Sequence, residues 1–354
     1  MARSSRWPVL VAGVSLALLF ACAGNGHPQP APPPDVHVAG YVFNGTANVA
    51  MYWKNGIPVA LTDGTKDAKA MSVVVSGGDV YVAGGWSSDK NVGVAGYWKN
   101  GVPVPMTDGT KSAFAESIVV VGSDVYVAGY ESDGSVGWDI VTYWKNGVAV
   151  PLSGPTRGEA CSISVSGKDV YVAGWTFETV EVSPNHYNTG PVAKVWKNGL
   201  STWLTDGITK MSVAESLVVS GEDVYLAGYT GPWGQGSFPY TACYWKNGAA
   251  MPLTDGTFGA KAFSIALSAG TVYAAGFTTA GGGDMATVWK DGTPARWTTG
   301  NSTALILAMA VSGPDVHAVG YVGNTATYWH NGIAMALTDG RQEAEAQSIF
   351  LAPR

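Results

Sequence analysis

The stretch from Asp79 to Thr110 reads DVYVAGGWSSDKNVGVAGYWKNGVPVPMTDGT, and close copies of it recur along the chain. Its first element, DVYVAG, occurs seven times at steps of 44, 45, 45, 54, 48 and 44 residues. The copies begin at Asp35, Asp79, Asp124, Asp169, Asp223, Thr271 and Asp315. A nearly constant period of this length is typical of proteins built from stacked structural repeats.

Two further elements, YWKNG and SVVVSG, follow the same period and also occur seven times each. The tryptophans of the first are Trp53, Trp98, Trp144, Trp196, Trp245, Trp289 and Trp329. Each period therefore offers four short runs rich in Val, Ile, Tyr and Trp, as in SIVVVG, DVYVAGY, VTYWKNG and VAVPL. This composition is typical of β-strands. Four strands in about 45 residues predict one blade of a β-propeller.

The YWKNG element predicts both a turn and a packing contact. Asn-Gly is the favoured pair for a two-residue type I′ hairpin, in which both central residues have positive φ. The third and fourth strands of each blade are therefore predicted to form a tight hairpin. Stacked blades need large flat side chains between them, so we interpret the repeated Trp as packing residues.

The two ends of the repeat array complement each other. DVHVAGYV, from Asp35, is a second strand without a first, and AQSIFLA, which ends at Ala352, is a first strand without a second. A single blade cannot bury both of its faces, so the blades must form a closed ring. The sequence predicts an all-β, seven-bladed propeller with four antiparallel strands per blade, closed by the C-terminal strand beside the N-terminal blade. The SVVVSG-type strand is expected to be innermost.

Composition limits the classes of partner. The chain has 354 residues, of which 46% are hydrophobic, 13% are charged and 47 in number are glycine, as expected for a β protein with many turns. The net charge of −6 is spread without a basic run. We therefore expect no binding to DNA or RNA.

The first 22 residues are predicted to be an export signal. Two arginines precede an apolar run from Trp7 to Phe20, which is short for a membrane span and is followed by small residues. Leu19-Phe20-Ala21-Cys22 resembles the lipobox of bacterial lipoproteins, which would make Cys22 the lipidated first residue. Ala21-Cys22-Ala23 also fits an ordinary signal peptidase site. The lipoprotein interpretation is preferred because Cys22 would otherwise be an idle thiol.

Residues 23–34 read as a proline-rich tether, and residues 35–354 as the propeller. Proline holds such a segment extended, which suits a spacer between a membrane and a folded domain. The expected location is the bacterial cell envelope, with the lipid anchor as the only membrane contact, or otherwise the secreted or periplasmic fraction. The protein is expected to be a monomer.

Charged residues at repeated positions are interpreted as structural. One set of lysines lies in the YWKNG hairpins, most of them beside the Asp of DVYVAG, and exposed pairs of this kind contribute about 0 to 1 kcal/mol. These are Lys54, Lys99, Lys145, Lys197, Lys246 and Lys290. A second set, in the TDG turns, is formed by Asp63, Asp108, Asp206, Asp255 and Asp339. Asp-Gly is more often a turn former than a calcium ligand, so no metal site is predicted.

Binding residues are sought where the copies differ. The connection between the second and third strands is short at Val322 to Thr325 but lengthens at Thr176 to Gly190 and at Thr230 to Tyr240. Aromatic side chains on loops of a rigid scaffold suit stacking on sugar rings or peptide side chains. The predicted ligand-binding residues are Trp86, Trp138, Trp175, Phe177, His186, Tyr187, Trp233, Phe238 and Tyr240. The alternative is that these rings only cover the edges of the blades.

Few residues indicate catalysis or a cofactor. No metal-ligand spacing, phosphate-binding loop or nucleophile elbow is found, so no cofactor is predicted. His37 and His317 replace the Tyr of DVYVAG in adjacent blades and are interpreted as core residues rather than a metal pair. Cys161 and Cys243 are expected to be buried free thiols. The non-repeating charged residues that an enzyme site would draw on are Glu131, Asp139, Arg157, Glu159 and Glu178.

From Asp35 to the C-terminus, the chain resembles bacterial exported or lipoprotein propellers built of DVYVAG, YWKNG and LTDGT repeats. The order of elements is also similar to that of WD-repeat propellers, although the Gly-His and Trp-Asp signatures of that family are missing. The resemblance implies the fold and the topology of the blade. It implies no activity, because propellers serve in binding, scaffolding and catalysis.

Three functions remain open on the sequence alone. The preferred one is a cell-surface module that recognises a glycan or protein partner through loop aromatics on one propeller face. The second is a scaffold lipoprotein in an envelope assembly, with an envelope protein as partner. The third is a propeller hydrolase or lyase, so catalysis stays undecided, with a binding protein favoured.

Overall fold

The computed structural model describes residues 32–354 except 136, 234–238, 281, 300 and 301. These residues form seven four-stranded antiparallel sheets, and no helix occurs among them. The sheets follow one another along the chain as the blades of a propeller. The predicted seven-bladed, all-β fold is confirmed. No helix in this part of the chain is long and apolar enough to cross a membrane.

The strands are as follows, in chain order. The first three are β1 (Asp35–Phe43), β2 (Asn48–Lys54) and β3 (Ile57–Ala60). Blade 1 contains β4 (Ala68–Ser76), β5 (Asp79–Ser87), β6 (Gly93–Lys99) and β7 (Val102–Pro105). Blade 2 contains β8 (Ala113–Val121), β9 (Asp124–Ser132), β10 (Asp139–Lys145) and β11 (Val148–Pro151). Blade 3 contains β12 (Gly158–Ser166), β13 (Asp169–Ser183), β14 (His186–Lys197) and β15 (Leu200–Trp203).

The blades in the second half of the ring also have four strands each. Blade 4 contains β16 (Met211–Ser220), β17 (Asp223–Gly231), β18 (Thr241–Lys246) and β19 (Ala249–Pro252). Blade 5 contains β20 (Ala260–Ser268), β21 (Thr271–Ala280), β22 (Gly283–Lys290) and β23 (Thr293–Arg296). Blade 6 contains β24 (Ala304–Ser312), β25 (Asp315–Val322), β26 (Thr325–His330) and β27 (Ile333–Ala336). The last strand is β28 (Ala344–Ala352).

Strand β28 closes the ring. It pairs antiparallel with β1, and the sheet order β28-β1-β2-β3 makes a complete seventh blade from the two ends of the chain. The register places Val38 opposite Ile349, both buried. Beyond the ladder, Arg354 Nε donates to Asp35 Oδ1 at 2.6 Å. The predicted closure is therefore confirmed.

The repeated tryptophans pack between neighbouring blades. All seven are at most 1% exposed. Trp53 of blade 7, for example, lies in a cluster with Val319 and Tyr328 of blade 6. Burial of so large a side chain is among the largest packing contributions available to one residue. The structural interpretation of these residues is confirmed.

The YWKNG hairpins have the predicted turn geometry and hold a second turn in place. In blade 1, φ is 51° at Asn100 and 82° at Gly101, as a type I′ turn requires. The Asn100 side chain accepts a hydrogen bond from the N–H of Val80 at 2.9 Å and donates to Asp79 at 2.8 Å. The hairpin is thereby fastened to the start of the second strand.

The innermost strands are linked around the axis by the Ser of SVVVSG. The hydroxyl of Ser72 accepts a hydrogen bond from the backbone N–H of Ile118, in the next blade, at 3.2 Å. Equivalent bonds join Ser117 to Ile163 and Ser162 to Leu217. The repetition of this serine therefore has a structural cause.

One lengthened connection is not a loop. The segment from Thr176 to Gly190 continues β13 and β14 as a regular hairpin that turns at Pro184 and Asn185. Alternation of Val, Thr and Glu over this segment allows the ladder to extend beyond the blade. The expectation of an irregular loop was wrong here.

Candidate functional site

The topology gives the propeller two different faces. On the hairpin face lie the turns between the first and second strands and the YWKNG hairpins. On the loop face lie the connections between the second and third strands and those leading to the next blade. Successive antiparallel strands reverse direction, so each type of connection returns to the same face in every blade.

The hairpin face carries the predicted Lys–Asp pairs. In blade 2, Lys145 Nζ lies 3.0 Å from Asp124 Oδ2 and 5.1 Å from the centre of the Tyr126 ring. The same arrangement recurs in blades 1, 3 and 4, and its charged side chains are partly exposed. A repeated, solvent-exposed pair is a structural feature rather than a site.

The TDG aspartates are turn residues, as predicted. Asp108 Oδ1 accepts from both the backbone N–H and the hydroxyl of Thr110, at 2.8 and 2.6 Å. These hydrogen bonds lower the pKa of Asp108. Within the part of the chain that the structure describes, no group of three His, Cys, Asp or Glu residues is arranged to hold a metal ion.

The two core histidines are satisfied by tyrosines. His37 Nδ1 lies 2.6 Å from the Tyr52 hydroxyl, and His317 Nδ1 lies 2.6 Å from that of Tyr328. Burial lowers the pKa of both imidazoles. They are core packing residues, as predicted.

The innermost strands surround an axial channel of about 220 Å³. The position before each repeated Ser points into it and differs in every blade but two. It holds Met71, Glu116, Cys161, Glu215, Phe263, Leu307 and Gln347. Glu159 adds a third carboxylate to the lining. The sequence singled out Glu159 but not the channel, although a variable position beside a serine that recurs in six of the seven blades was the signal.

Two carboxylates of the channel, Glu116 and Glu215, hold their protons more tightly than exposed ones. Burial, together with the neighbouring Glu159 and Glu215, raises the pKa of Glu116 well above its usual range. Burial and Glu159 also raise the pKa of Glu215 to about 7. Burial raises the pKa of the Cys161 thiol, which therefore stays protonated. Cys161 and Cys243 are both free, as predicted, although Cys161 is half-buried and lines the channel.

A ring of aromatic residues surrounds the channel mouth on the loop face. Each belongs to a second strand and follows the Gly that ends the DVYVAG element. The ring contains Tyr41, Tyr130, Trp175, Tyr229, Phe277 and Tyr321. Opposite them in the first strands stand residues that change from blade to blade, such as Glu345 opposite Tyr41 and Glu159 opposite Trp175.

Blade 1 breaks this ring because Gly85 replaces the aromatic residue. Phe114 of blade 2 lies over Gly85, where a Cβ atom would meet the Phe114 ring. The Phe114 ring takes the space of the missing side chain, and beside it lies a cavity of about 400 Å³, which we call the mouth pocket. Its lining includes Lys69, Trp86, Phe114, Glu116 and Tyr130.

The mouth pocket combines aromatic and charged side chains. Phe114 and Tyr130 are stacked, with ring centres 6.4 Å apart and an angle of 28° between the planes. Lys69 Nζ lies 4.2 Å from the centre of the Tyr41 ring. Glu116 lines both this pocket and the channel, so the two cavities adjoin. Flat apolar walls beside hydrogen-bonding charges are typical of ligand sites.

Four of the predicted ligand-binding aromatics lie near the mouth. Trp86 lines the mouth pocket, with its ring centre 5.1 Å from that of Trp98. Trp175 belongs to the aromatic ring and lies 5.9 Å from Phe177, whose ring is covered by Arg157 at 4.8 Å. Tyr240 packs on Tyr229.

The other predicted residues are not brought to one place. Trp233 is half-buried and packs on Gly190 of the blade 3 hairpin. Its ring therefore covers the edge of a neighbouring blade. Trp138 is 50% exposed, and Tyr187 is 57% exposed beside His186 at the tip of that hairpin. Phe238 lies outside the described residues.

The blade 3 hairpin has its own internal ion pair. Lys194 Nζ lies 2.5 Å from Glu178 Oε1, and the Thr176 hydroxyl donates to the same oxygen at 2.7 Å. Lys194 is 8% exposed and its ammonium also faces Trp203 at 5.2 Å. Glu178 therefore stabilises the hairpin rather than contributing to the channel.

Comparison with solved structures supports the fold. A puromycin-hydrolyzing peptidase from Mycobacterium tuberculosis is similar over 83% of this chain and 50% of its own, with a TM-score of 0.53 and 10% identity. The Pyrococcus horikoshii acylaminoacyl peptidase is similar over 82% of this chain and 48% of its own, with a TM-score of 0.48 and 14% identity. The β-propeller domain of the Trilobed protease from Pyrococcus furiosus is similar over 78% of this chain and 98% of its own. Its TM-score is 0.41 and its identity is 14%.

These likenesses concern the propeller alone. The chain spans about half the length of the two peptidases that it matches. Identities of this size show a shared fold and carry no activity across. No protein-family model matches the sequence, and no curated protein matches it either. The chain is a seven-bladed β-propeller by its sheet topology, and its fold is similar to part of the Mycobacterium tuberculosis peptidase.

Proposed function

We propose that this chain is a binding module that recognises a glycan at the mouth pocket on its loop face. The single observation that carries the proposal is the mouth pocket itself, an aromatic-walled cavity beside a channel carboxylate. The stacked Phe114 and Tyr130 offer flat faces to a sugar ring. Lys69 and Glu116 offer a donor and an acceptor to its hydroxyl groups.

The proposal favours a glycan over a folded protein partner. The mouth pocket is a concave cavity of about 400 Å³, a shape that suits a small ring, whereas protein partners usually cover broad, flatter surfaces. The exposed Trp138 and Tyr187 stand on the same face and would contact neighbouring units of a longer glycan. A protein partner would engage these two residues instead of the pocket.

The test is binding to an array of immobilised cell-wall and capsular polysaccharides. We expect wild type to bind at least one polymer and Tyr130→Ala to bind it about tenfold more weakly, because one stacking contact is worth about 0.5 to 1.5 kcal/mol. Phe277→Ala is the matched control, since Phe277 has the same position in blade 5, away from the mouth pocket. Equal losses in both variants, or no binding to any polymer, would reject the proposal.

Glycan hydrolysis is a second candidate, favoured by the carboxylates at the inner end of the pocket. The raised pKa of Glu116 favours its protonated form, as a general acid requires, and Glu159 lies beside it. If the chain is an enzyme, it should release reducing ends from the polymer that it binds. Glu116→Gln should then abolish release while leaving binding intact. A binding module shows no release in either form.

We also propose export to the bacterial envelope, with Cys22 as the lipid anchor and a monomeric propeller beyond the 23–34 tether. The apolar run before Cys22 supports the proposal. Cys22→Ala should move the protein from the membrane fraction to the soluble exported fraction, because one residue carries all the lipid. Unchanged membrane partition would contradict the lipobox. A scaffold role in an envelope assembly would instead appear as stable co-purification with a membrane protein.

A further inference from the structure

A second cavity lies between blades 4 and 5, apart from the mouth pocket. We call it the interblade groove; its volume is about 860 Å³. The floor is the buried Trp289, and one wall carries Phe258, which is 62% exposed. Thr278 and Arg296 complete the side formed by blade 5.

The groove lacks a side chain that fills the equivalent space in blade 1, and blades 3 and 4 likewise have Thr at this position, Thr176 and Thr230. In blade 1, Trp86 stands opposite Ala68 and covers Trp98. In blade 5, the residue at the same register position, opposite Ala260, is Thr278. The corresponding cavity between blades 7 and 1 is about half as large, at about 440 Å³.

The equivalent cavity between blades 7 and 1 also has an ion pair in its lining. The pair is formed by Lys66 and Asp89. In the interblade groove the position of Lys66 is held by Phe258, and strand four ends in Arg296 where blade 1 has Pro105. Among the described residues, Arg296 forms no ion pair, although Arg341 and Arg354 each form one. Its Nε donates to the Thr278 hydroxyl in a long bond of 3.4 Å.

The floor of the groove contains a buried hydrogen-bond donor that has no acceptor among the described residues. This donor is the indole Nε1 of Trp289. In blade 3, the equivalent Trp196 Nε1 donates to the Leu152 carbonyl at 3.0 Å. Its counterpart at the groove is Leu253, which lines the groove without accepting this bond. The indoles of Trp53, Trp245 and Trp329 share this state, so the Trp289 indole reports on the groove rather than binding the ligand.

The groove also contains one carboxylate, Asp255. Its Oδ1 accepts from the backbone N–H of Thr257 at 2.9 Å, in the same turn that the other TDG aspartates make. It is not ion-paired with Arg296. Asp255 is therefore engaged by its own turn, and the guanidinium of Arg296 keeps its donors for another group.

We propose that the interblade groove binds an organic carboxylate that carries a flat apolar ring. The carboxylate pairs with the Arg296 guanidinium, whose planar donors match it. The ring packs on the exposed Phe258, above the buried Trp289. This site is distinct from the proposed glycan site, and neither depends on the other.

The test is a two-dimensional ¹H–¹⁵N spectrum of the full propeller during titration with benzoate, with benzamide as the neutral analogue. The Trp289 indole signal is assigned by its loss in Trp289→Phe. We expect benzoate to shift this signal saturably. Arg296→Gln should weaken benzoate binding at least about tenfold, because charge-assisted hydrogen bonds are worth about 1.5 to 3 kcal/mol. Arg341→Gln, an exposed arginine of blade 6, should leave it unchanged.

A second variant fills the groove as blade 1 does. Thr278→Trp with Thr287→Gly reproduces the pair Trp86 and Gly96, in which the glycine makes room for the indole. This variant should lose benzoate binding while its other indole signals keep their positions. Equal binding of benzamide, retention of binding in Arg296→Gln, or the absence of any Trp289 shift would each overturn the proposal.

Discussion

Lys261 lies between two tyrosines, with its Nζ 4.1 Å from the centre of the Tyr229 ring and 4.5 Å from that of Tyr240. Tyr240 follows the lengthened connection of blade 4, and Tyr229 belongs to the aromatic ring at the mouth. Burial lowers the pKa of the Lys261 ammonium, while the Glu215 carboxylate acts in the opposite direction. The Lys261 ammonium therefore contacts both the end of the blade 4 connection and the aromatic ring at the channel mouth.

Replacing Lys261 with methionine keeps the stem and removes the charge. We expect Lys261→Met to lower the free energy of unfolding by about 1 to 2 kcal/mol, because a partly desolvated cation between two rings loses both contacts. Lys69→Met is the control, since Lys69 faces a single ring, that of Tyr41. Urea denaturation measures both, and a larger loss for Lys69→Met would contradict this view of the mouth.

Removing the closing strand should be far more damaging than removing the tether. Truncation after Gly340 deletes β28 and exposes the whole edge of β1, which invites aggregation. Deletion of residues 23–34 leaves every strand of the ring in place. Thermal melting and light scattering of the two truncated proteins make the comparison. Equal melting temperatures would show that β28 does not close the ring.

The raised pKa of Glu215 predicts a dependence of stability on pH. The pKa of Glu215 has its usual value of 4.5 in the unfolded chain and rises to about 7 in the folded protein. The folded state therefore binds this proton more tightly. The resulting stabilisation is complete below about pH 4.5 and is lost as the pH rises through about 7. We expect the melting temperature of Glu215→Gln to fall less than that of wild type over this interval. Glu222→Gln, in the exposed β16–β17 turn, should behave as wild type.

Two tryptophans should separate folding from recognition. Trp53 is fully buried between blades 7 and 6, and Trp53→Ala should cost about 3 to 5 kcal/mol of stability. Trp138 is 50% exposed, so Trp138→Ala should leave the melting temperature nearly unchanged. Circular dichroism during heating measures both. A large loss of stability in Trp138→Ala would mean that its ring packs on the scaffold.

Much of the fold was readable from the sequence because the repeat fixes it. The period of DVYVAG set the number of blades, Asn-Gly set the hairpins, and the orphan strand at Gln347 required closure. Each of these signals acts within one blade or between the chain ends. The structure confirms all three.

The site was less accessible to the same reasoning. Glu116, Glu159 and Glu215 belong to three different blades and meet only because the ring closes around an axis. The mouth pocket lies beside Gly85, where one blade lacks the aromatic residue of the repeat. Trp233 was singled out for its place in a lengthened connection, but it packs on another blade. Composition alone does not distinguish an aromatic residue that covers an edge from one that faces a ligand.

The most direct test of the account is a crystal structure of the propeller with the best-binding glycan from the array. The account predicts a sugar ring in the mouth pocket, stacked about 4 Å from Phe114 or Tyr130, with a hydroxyl group bonded to Glu116 or Lys69. A glycan bound at the hairpin face, on the Lys145 and Asp124 pairs, would contradict it. So would a glycan held only by Trp138 and Tyr187 with the mouth pocket empty.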